Sequence, residues 1–143
     1  MIVKKLILHC SASDNPFQDD IASVRSLHTA PKDKHFKWGE YRTNGKAWSN
    51  VGYHFFIQTD GTLEFGRPDN IQGAHCFGQN HDSLGICLSG SKNFTEEQKK
   101  QCKALLKHLC EKHHLGNAQI FGHCHFNKSK TCPNFDIKEV LPF

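Results

Sequence analysis

Between Gly52 and Arg67 the chain carries its firmest local instruction. The run Tyr53-His54-Phe55-Phe56-Ile57 meets Asp60-Gly61, and Leu63-Glu64-Phe65 follows. Asp-Gly between two strand-like runs is a tight-hairpin signature, because glycine accepts the positive φ that such a turn needs. An antiparallel pair is therefore written into the chain, and the other segments must be arranged around it. Residues 2–9 are rich in Ile, Val and Leu and predict a buried strand ending at His9. A loop of small polar residues follows over 11–16. Ile21, Val24, Leu27 and His28 fall at helical spacing, predicting a short helix over 18–28 that Pro31 stops. Residues 32–50 mix charges, aromatics and glycines without a period and predict a long loop, a length that compact domains usually reserve for function or mobility.

Residues 83–89 read as a second buried strand. Thr95 then opens a helix, with Gln98 completing a capping box and Glu96-Glu97 at the positive end of the helix dipole. Cys102, Leu105, Leu106, Leu109, Cys110 and His113 make one apolar stripe, and Gly116 is the expected stop. Residues 118–121 form a short strand leading to Gly122-His123. The tail from 124 is read as loop, closing with a helical turn over 137–141. The order strand, helix, hairpin, strand, helix, strand predicts an α/β fold: a single domain over 1–143 with a central mixed β-sheet flanked by helices.

Composition narrows the partners. The net charge is +4 over 143 residues, and the basic residues are scattered, so no nucleic-acid footprint is expected, although an anionic polymer would be attracted. The apolar run Leu6-Ile7-Leu8 is far too short for a membrane span or a secretory leader. Cytoplasmic synthesis of a soluble monomer is the expectation. Seven Cys and eleven His are the unusual counts. An odd cysteine number leaves one thiol outside any disulfide framework, and no C-x-x-C pair exists, which excludes zinc-finger and thioredoxin arrangements. A metal site here must be assembled from distant segments.

His9 and His123 stand at the carboxyl ends of the first and last predicted strands, the edge where open α/β sheets bind ligands. Cys132 follows nine residues after His123, in a loop able to fold back. Two imidazoles and a thiolate would leave a fourth zinc position open, as catalytic zinc requires. By spacing alone, histidines buried for packing remain the simpler reading. Cys10, Cys87, Cys102 and Cys110 read as core residues, with Cys10 facing away from His9 on a regular strand. His54 is expected on the sheet face opposite Tyr53, and His113-His114 at a helix end, where cations are favoured.

Five ordered motifs carry a resemblance: His9-Cys10-Ser11-Ala12-Ser13; Gly52-Tyr53-His54-Phe55-Phe56-Ile57 with Asp60-Gly61-Thr62 and Gly66-Arg67; Gly73-Ala74-His75; Asn80 with Ser83-Leu84-Gly85-Ile86; and Gly122-His123 through Cys132-Pro133-Asn134-Phe135-Asp136. Together they resemble the zinc-dependent N-acetylmuramoyl-L-alanine amidases, which share a fold with peptidoglycan recognition proteins, in register from about residue 6 to 137. The resemblance implies zinc ligands His9, His123 and Cys132. It implies cleavage of the amide between N-acetylmuramic acid and L-alanine, in peptidoglycan or muropeptide substrates. Tyr53 matches the tyrosine that orients the attacking water, and Lys130 the lysine that stabilises the developing oxyanion. His75 and Asn80 match positions expected to touch substrate, and Trp38 and Trp48 would wall the groove.

Two positions depart from the pattern. Cys87 stands where some branches carry a general-base glutamate, which would pass the base role to Tyr53 or to the zinc-activated water. His125 stands where an acidic residue is common. A non-catalytic peptidoglycan-binding module is the competing reading, and the presence of Cys132 speaks for the enzyme. A phage endolysin, a cytosolic recycling enzyme and an exported effector all fit a chain of this kind.

Overall fold

The computed structural model describes residues 1–38 and 41–143, with the side chains of Trp38, Tyr41 and Arg42 outside that description. In chain order the elements are β1 (Lys5–Cys10), α1 (Ile21–Thr29), β2 (His35–Trp38), β3 (Tyr41–Asn44), β4 (Phe55–Ile57), β5 (Leu63–Phe65), β6 (Ser83–Leu88), α2 (Glu96–His113), β7 (Ile120–Gly122) and α3 (His123–Phe126), with short 3-10 turns between them. Five strands form one mixed sheet in the order β5-β4-β6-β1-β7. β1 pairs in parallel with both β6 and β7, β4 is parallel to β6, and the expected hairpin adds β5 antiparallel at the edge. Gly61 takes φ +88° in the hairpin turn, the conformation its sequence context demanded.

Strand alternation sorts the core into two layers. Leu6, Leu8, Leu84, Ile86, Leu88, Phe55 and Ile57 face α2 and pack on Cys102, Leu105, Leu106, Leu109 and Cys110. On the other face, Phe56 and Cys87 pack on Ile21 and Val24 of α1 and on Val51. His9 lies opposite Cys87, and Leu8 opposite Gly122. That register sets His9 beside the first residue of α3, His123.

The helices begin as their sequences require. Asp20 caps α1 by accepting from Ser23 N at 2.7 Å. Thr95 and Gln98 exchange both capping-box bonds at 3.1 and 3.0 Å. The end of α2 differs from expectation. Helix geometry stops at His113, and His114, not Gly116, takes the left-handed cap at φ 58°. The Leu115 N–H returns to the Cys110 carbonyl at 2.9 Å and Leu115 packs on the core, so a hydrophobic Schellman-type ending outweighs the preference for glycine.

Two further expectations are corrected. The supposed loop over 32–50 contains an antiparallel ribbon, β2 with β3, whose sequence mixes charged, polar and aromatic residues and leaves no hydrophobic period to read. The chain after it closes the end of α1: Lys46, Ala47 and Trp48 donate their N–H groups to the carbonyls of Leu27, Ala30 and His28. The tail also begins with a turn of helix, α3, rather than loop. No helix among the described residues is long and apolar enough to cross a membrane.

Leu106 is fully buried between α2 and the sheet, so Leu106→Ala is expected to cost about 2–5 kcal/mol. Thr95→Ala, which removes only a cap, should cost about 1 kcal/mol. Urea unfolding of the two variants checks the ranking; equal losses would contradict the layering described.

Candidate active site

His9 is the last residue but one of β1, with 2% of its surface exposed, and His123 opens α3 directly after β7. Their Nδ1 atoms face one another at 3.1 Å. Two nitrogens on a tetrahedral zinc with ordinary bond lengths stand about 3.3 Å apart, so the pair already has the spacing of two ligands. Cys132 lies on the loop that follows α3, drawn back to the sheet by the bond from Cys124 N to the Cys132 carbonyl at 3.0 Å. Its thiol meets Cys10, whose Sγ is 2.9 Å away and whose carbonyl is 3.8 Å away. Among the described residues, no group of three or more His, Cys, Asp or Glu is closed around a common point as a metal site. The imidazole pair fits a zinc ion as it stands, and the third donor is engaged by Cys10.

Protonation follows from these contacts. The hydrogen bond with Cys10, then that with His123, pulls the Cys132 thiol below the usual range, while bonding to Cys132 and burial push Cys10 up. Either sulfur of the pair can donate to the other, and the Cys132 thiol also reaches the Cys10 carbonyl at 3.8 Å; a thiol held low ionises readily, and the thiolate is the form in which sulfur ligates metals. Cys10 is buried as expected, yet it does not turn away from the site, because the Cys132 loop folds over the strand end to meet it. Burial, then His75 and His123, hold His9 well below the ordinary histidine value.

Tyr53 brings its ring to 5.3 Å from that of His9. Burial first, then the adjacent Cys87 thiol, pushes its phenol well above the usual value. Regular strand geometry begins only at Phe55, so Tyr53 and His54 do not alternate. His54 stands 5.7 Å from His75 and is fixed between Gly85 N and the Ile71 carbonyl. Trp48 is half-buried, its ring 4.8 Å from His28, which lies 5.6 Å from Tyr53. Lys130 is exposed on the Cys132 loop, and nothing among the described residues pairs with its ammonium. The Trp38 side chain lies outside the described residues.

Two residues expected to touch substrate are engaged within the chain. His75 is buried with both ring nitrogens taken, by His9 at 2.9 Å and Ser83 at 3.2 Å. Asn80 Oδ1 accepts from the backbone of His75 and Cys76 at 3.0 and 2.9 Å, so it fixes a loop. Sequence reasoning missed Ser83, Cys10 as a partner of Cys132, and Gln18. A cavity of about 130 Å³ beside Tyr53 is lined by Ser11, Gln18, His28 and Lys46, and Gln18 Oε1 is buried there without a hydrogen-bond partner. Gln18 could have been found only by knowing that the short turn before α1 folds inward.

The strand ends of an α/β sheet thus hold two histidines, with a cysteine on the following loop and a half-buried tyrosine beside them. The family model described as N-acetylmuramoyl-L-alanine amidase matches residues 1–135. The endolysin of Escherichia phage T7 is 33% identical over 141 residues, covering 93% of this chain and 82% of the phage protein. Among solved structures, the N-acetylmuramoyl-L-alanine amidase LysC from Clostridium intestinale superposes with a TM-score of 0.79 at 26% identity, covering 98% of this chain and 83% of LysC. Drosophila PGRP-LB shares the fold, with a TM-score of 0.65 at 22% identity and coverage of 94% and 83%. The chain belongs to the N-acetylmuramoyl-L-alanine amidase family.

Burial, then Lys46 and Arg67, lower His28 from 6.5 to about 4, and its Nδ1 accepts from Gly52 N at 3.0 Å, a bond only the neutral ring can make. A lowered histidine contributes stability that is complete above 6.5 and drains away as pH falls toward 4. The urea midpoint of chelator-treated protein is therefore expected to drop across that window, and His28→Gln to flatten the slope. A variant as pH-sensitive as the parent would contradict this assignment.

Proposed function

We propose that His9, His123 and Cys132 hold a zinc ion with which this amidase hydrolyses the bond between N-acetylmuramic acid and the L-alanine of the stem peptide. The observation that carries the reading is the pair of Nδ1 atoms 3.1 Å apart, with the Cys132 thiol brought to the same strand ends, 2.9 Å from the Sγ of Cys10, the neighbour of His9. The donor set, two nitrogens and one sulfur, suits zinc and leaves a position for a reactant. When bound, the metal supplies Lewis acidity, polarising the scissile carbonyl and acidifying the attacking water.

The protein supplies the rest. Tyr53, kept as a neutral phenol by burial, orients the water through its hydroxyl and does not act as a base at neutral pH. Cys87 stands beside Tyr53, fully buried, and offers no carboxylate. Lys130, unpaired and on the loop of a ligand, is the cation available to the oxygen that gains charge as the carbonyl carbon becomes tetrahedral. The aromatic step from Trp48, in the segment after the β2–β3 ribbon, to His28 and Tyr53 leads to the reaction centre and suits a groove for sugar and peptide, with Trp38 in β2 of that ribbon. The relatives named endolysins favour the cell wall of a bacterial host as the place of action.

Mass spectrometry of purified peptidoglycan after digestion tests this. Stem peptides with a new L-alanine amine, lost on chelation and restored by zinc, are expected. Intact glycopeptide that sediments with the protein would replace the enzyme by a binding module. Cys132→Ala should lose both tight zinc and activity. Lys130→Ala should lower kcat by about 10²–10³-fold with zinc retained, and loss of zinc in that variant would make Lys130 structural.

A further inference from the structure

We propose that His75 is a positioning residue: it fixes the tautomer of His9 through a hydrogen-bond relay that ends on the carbonyl of Gln79. The direction of the relay follows from its last member. A backbone carbonyl only accepts, so Ser83 Oγ donates its one proton to Gln79 O at 2.6 Å. With that proton committed, Ser83 Oγ meets His75 Nε2 at 3.2 Å as an acceptor, and His75 Nε2 carries hydrogen. A neutral imidazole has a single N–H, which leaves His75 Nδ1 bare. That nitrogen lies 2.9 Å from His9 Nε2, and two bare nitrogens do not bond, so the proton of His9 is on Nε2. The lone pair of His9 Nδ1 is left facing His123. One carbonyl oxygen thereby decides which nitrogen of His9 is free to bind a metal.

Both rings are neutral because neither has a carboxylate partner among the described residues, and a buried cation there would be uncompensated. The surroundings are built for this geometry. A Cβ on Gly85 would stand 2.5 Å from His75 Cγ, so only glycine leaves room for the ring beside β1. Gly85 N in turn donates to His54 Nδ1 at 3.0 Å, and Asn80 Oδ1 pins the backbone on either side of the His75 peptide. Metal-binding histidines commonly give their second N–H to a carboxylate, a carbonyl or water. Here an imidazole and a hydroxyl are interposed, which orients the ligand without adding negative charge to the site. The metal-binding consequence rests on the zinc reading above; the tautomer of His9 does not.

Long-range ¹H–¹⁵N correlation spectra of the labelled full chain, metal-free and then zinc-loaded, read the tautomers directly. His9 and His75 are each expected as the Nε2–H form in the metal-free protein. Ser83→Ala removes the acceptor of His75 and should give mixed tautomers at both rings, with zinc affinity falling about 10–100-fold. His75→Phe should do the same at His9, and His75→Gln, whose side-chain oxygen can accept from His9, should recover much of the affinity. A wild-type His9 protonated mainly at Nδ1 would overturn the relay, a result that needs no variant to fold. So would unchanged His9 tautomers and zinc affinity in Ser83→Ala and His75→Phe. Protein that binds no zinc but shows His9 as Nε2–H, responsive to Ser83→Ala, would keep the relay and remove the zinc reading. Active zinc enzyme with unresponsive tautomers would do the reverse.

Discussion

The parallel pairing of β1 with β7 is the constraint on which the rest depends. Leu8 opposite Gly122 brings two chain segments more than a hundred residues apart to the same level, so that His9 and His123 leave adjacent strands side by side. A slip of one residue would turn His9 into the α2 core and put Leu8 in the site. The register is held by Leu6 and Leu8 on one face, both fully buried against the layer under α2. Packing on one side of the sheet thus supplies the precision of the chemistry on the other.

Much of this was legible in the residues. The Asp60-Gly61 hairpin, the capping box at Thr95 and the stripe from Cys102 to Cys110 announce themselves because turn chemistry and helical period are local properties. The β2–β3 ribbon was not legible, since Lys37 and Arg42 carry charge where a buried strand would carry Val or Ile. His9, His123 and Cys132 could be named as a group only through the family resemblance; their spacing alone did not distinguish ligands from packed histidines. His75 and Asn80 illustrate the limit of that resemblance. It marks a position as functional, but the contact with His9 and the paired backbone N–H groups emerge only when Gly85 has made room for a ring.

The site is notable for having no carboxylate hydrogen-bonded to its histidines or its cysteine among the described residues. Neutral imidazoles, a hydroxyl and a backbone carbonyl orient His9, and a second thiol stands 2.9 Å from the Cys132 sulfur. Cys87 likewise presents sulfur where a base might stand. Such a centre keeps the positive charge of a bound metal less compensated than a carboxylate-rich one, which favours polarisation of a substrate carbonyl. It also places Cys10 close enough to compete for the Cys132 sulfur, so the fate of that hydrogen bond distinguishes a loaded site from an empty one.

Zinc-edge X-ray absorption of the zinc-loaded full chain tests the central assignment most directly. One sulfur at about 2.3 Å with nitrogen or oxygen donors at about 2.0–2.1 Å is expected, with Cys10 remaining outside the coordination shell. A shell with no sulfur, or with two, would contradict the assignment of His9, His123 and Cys132 as the ligand set.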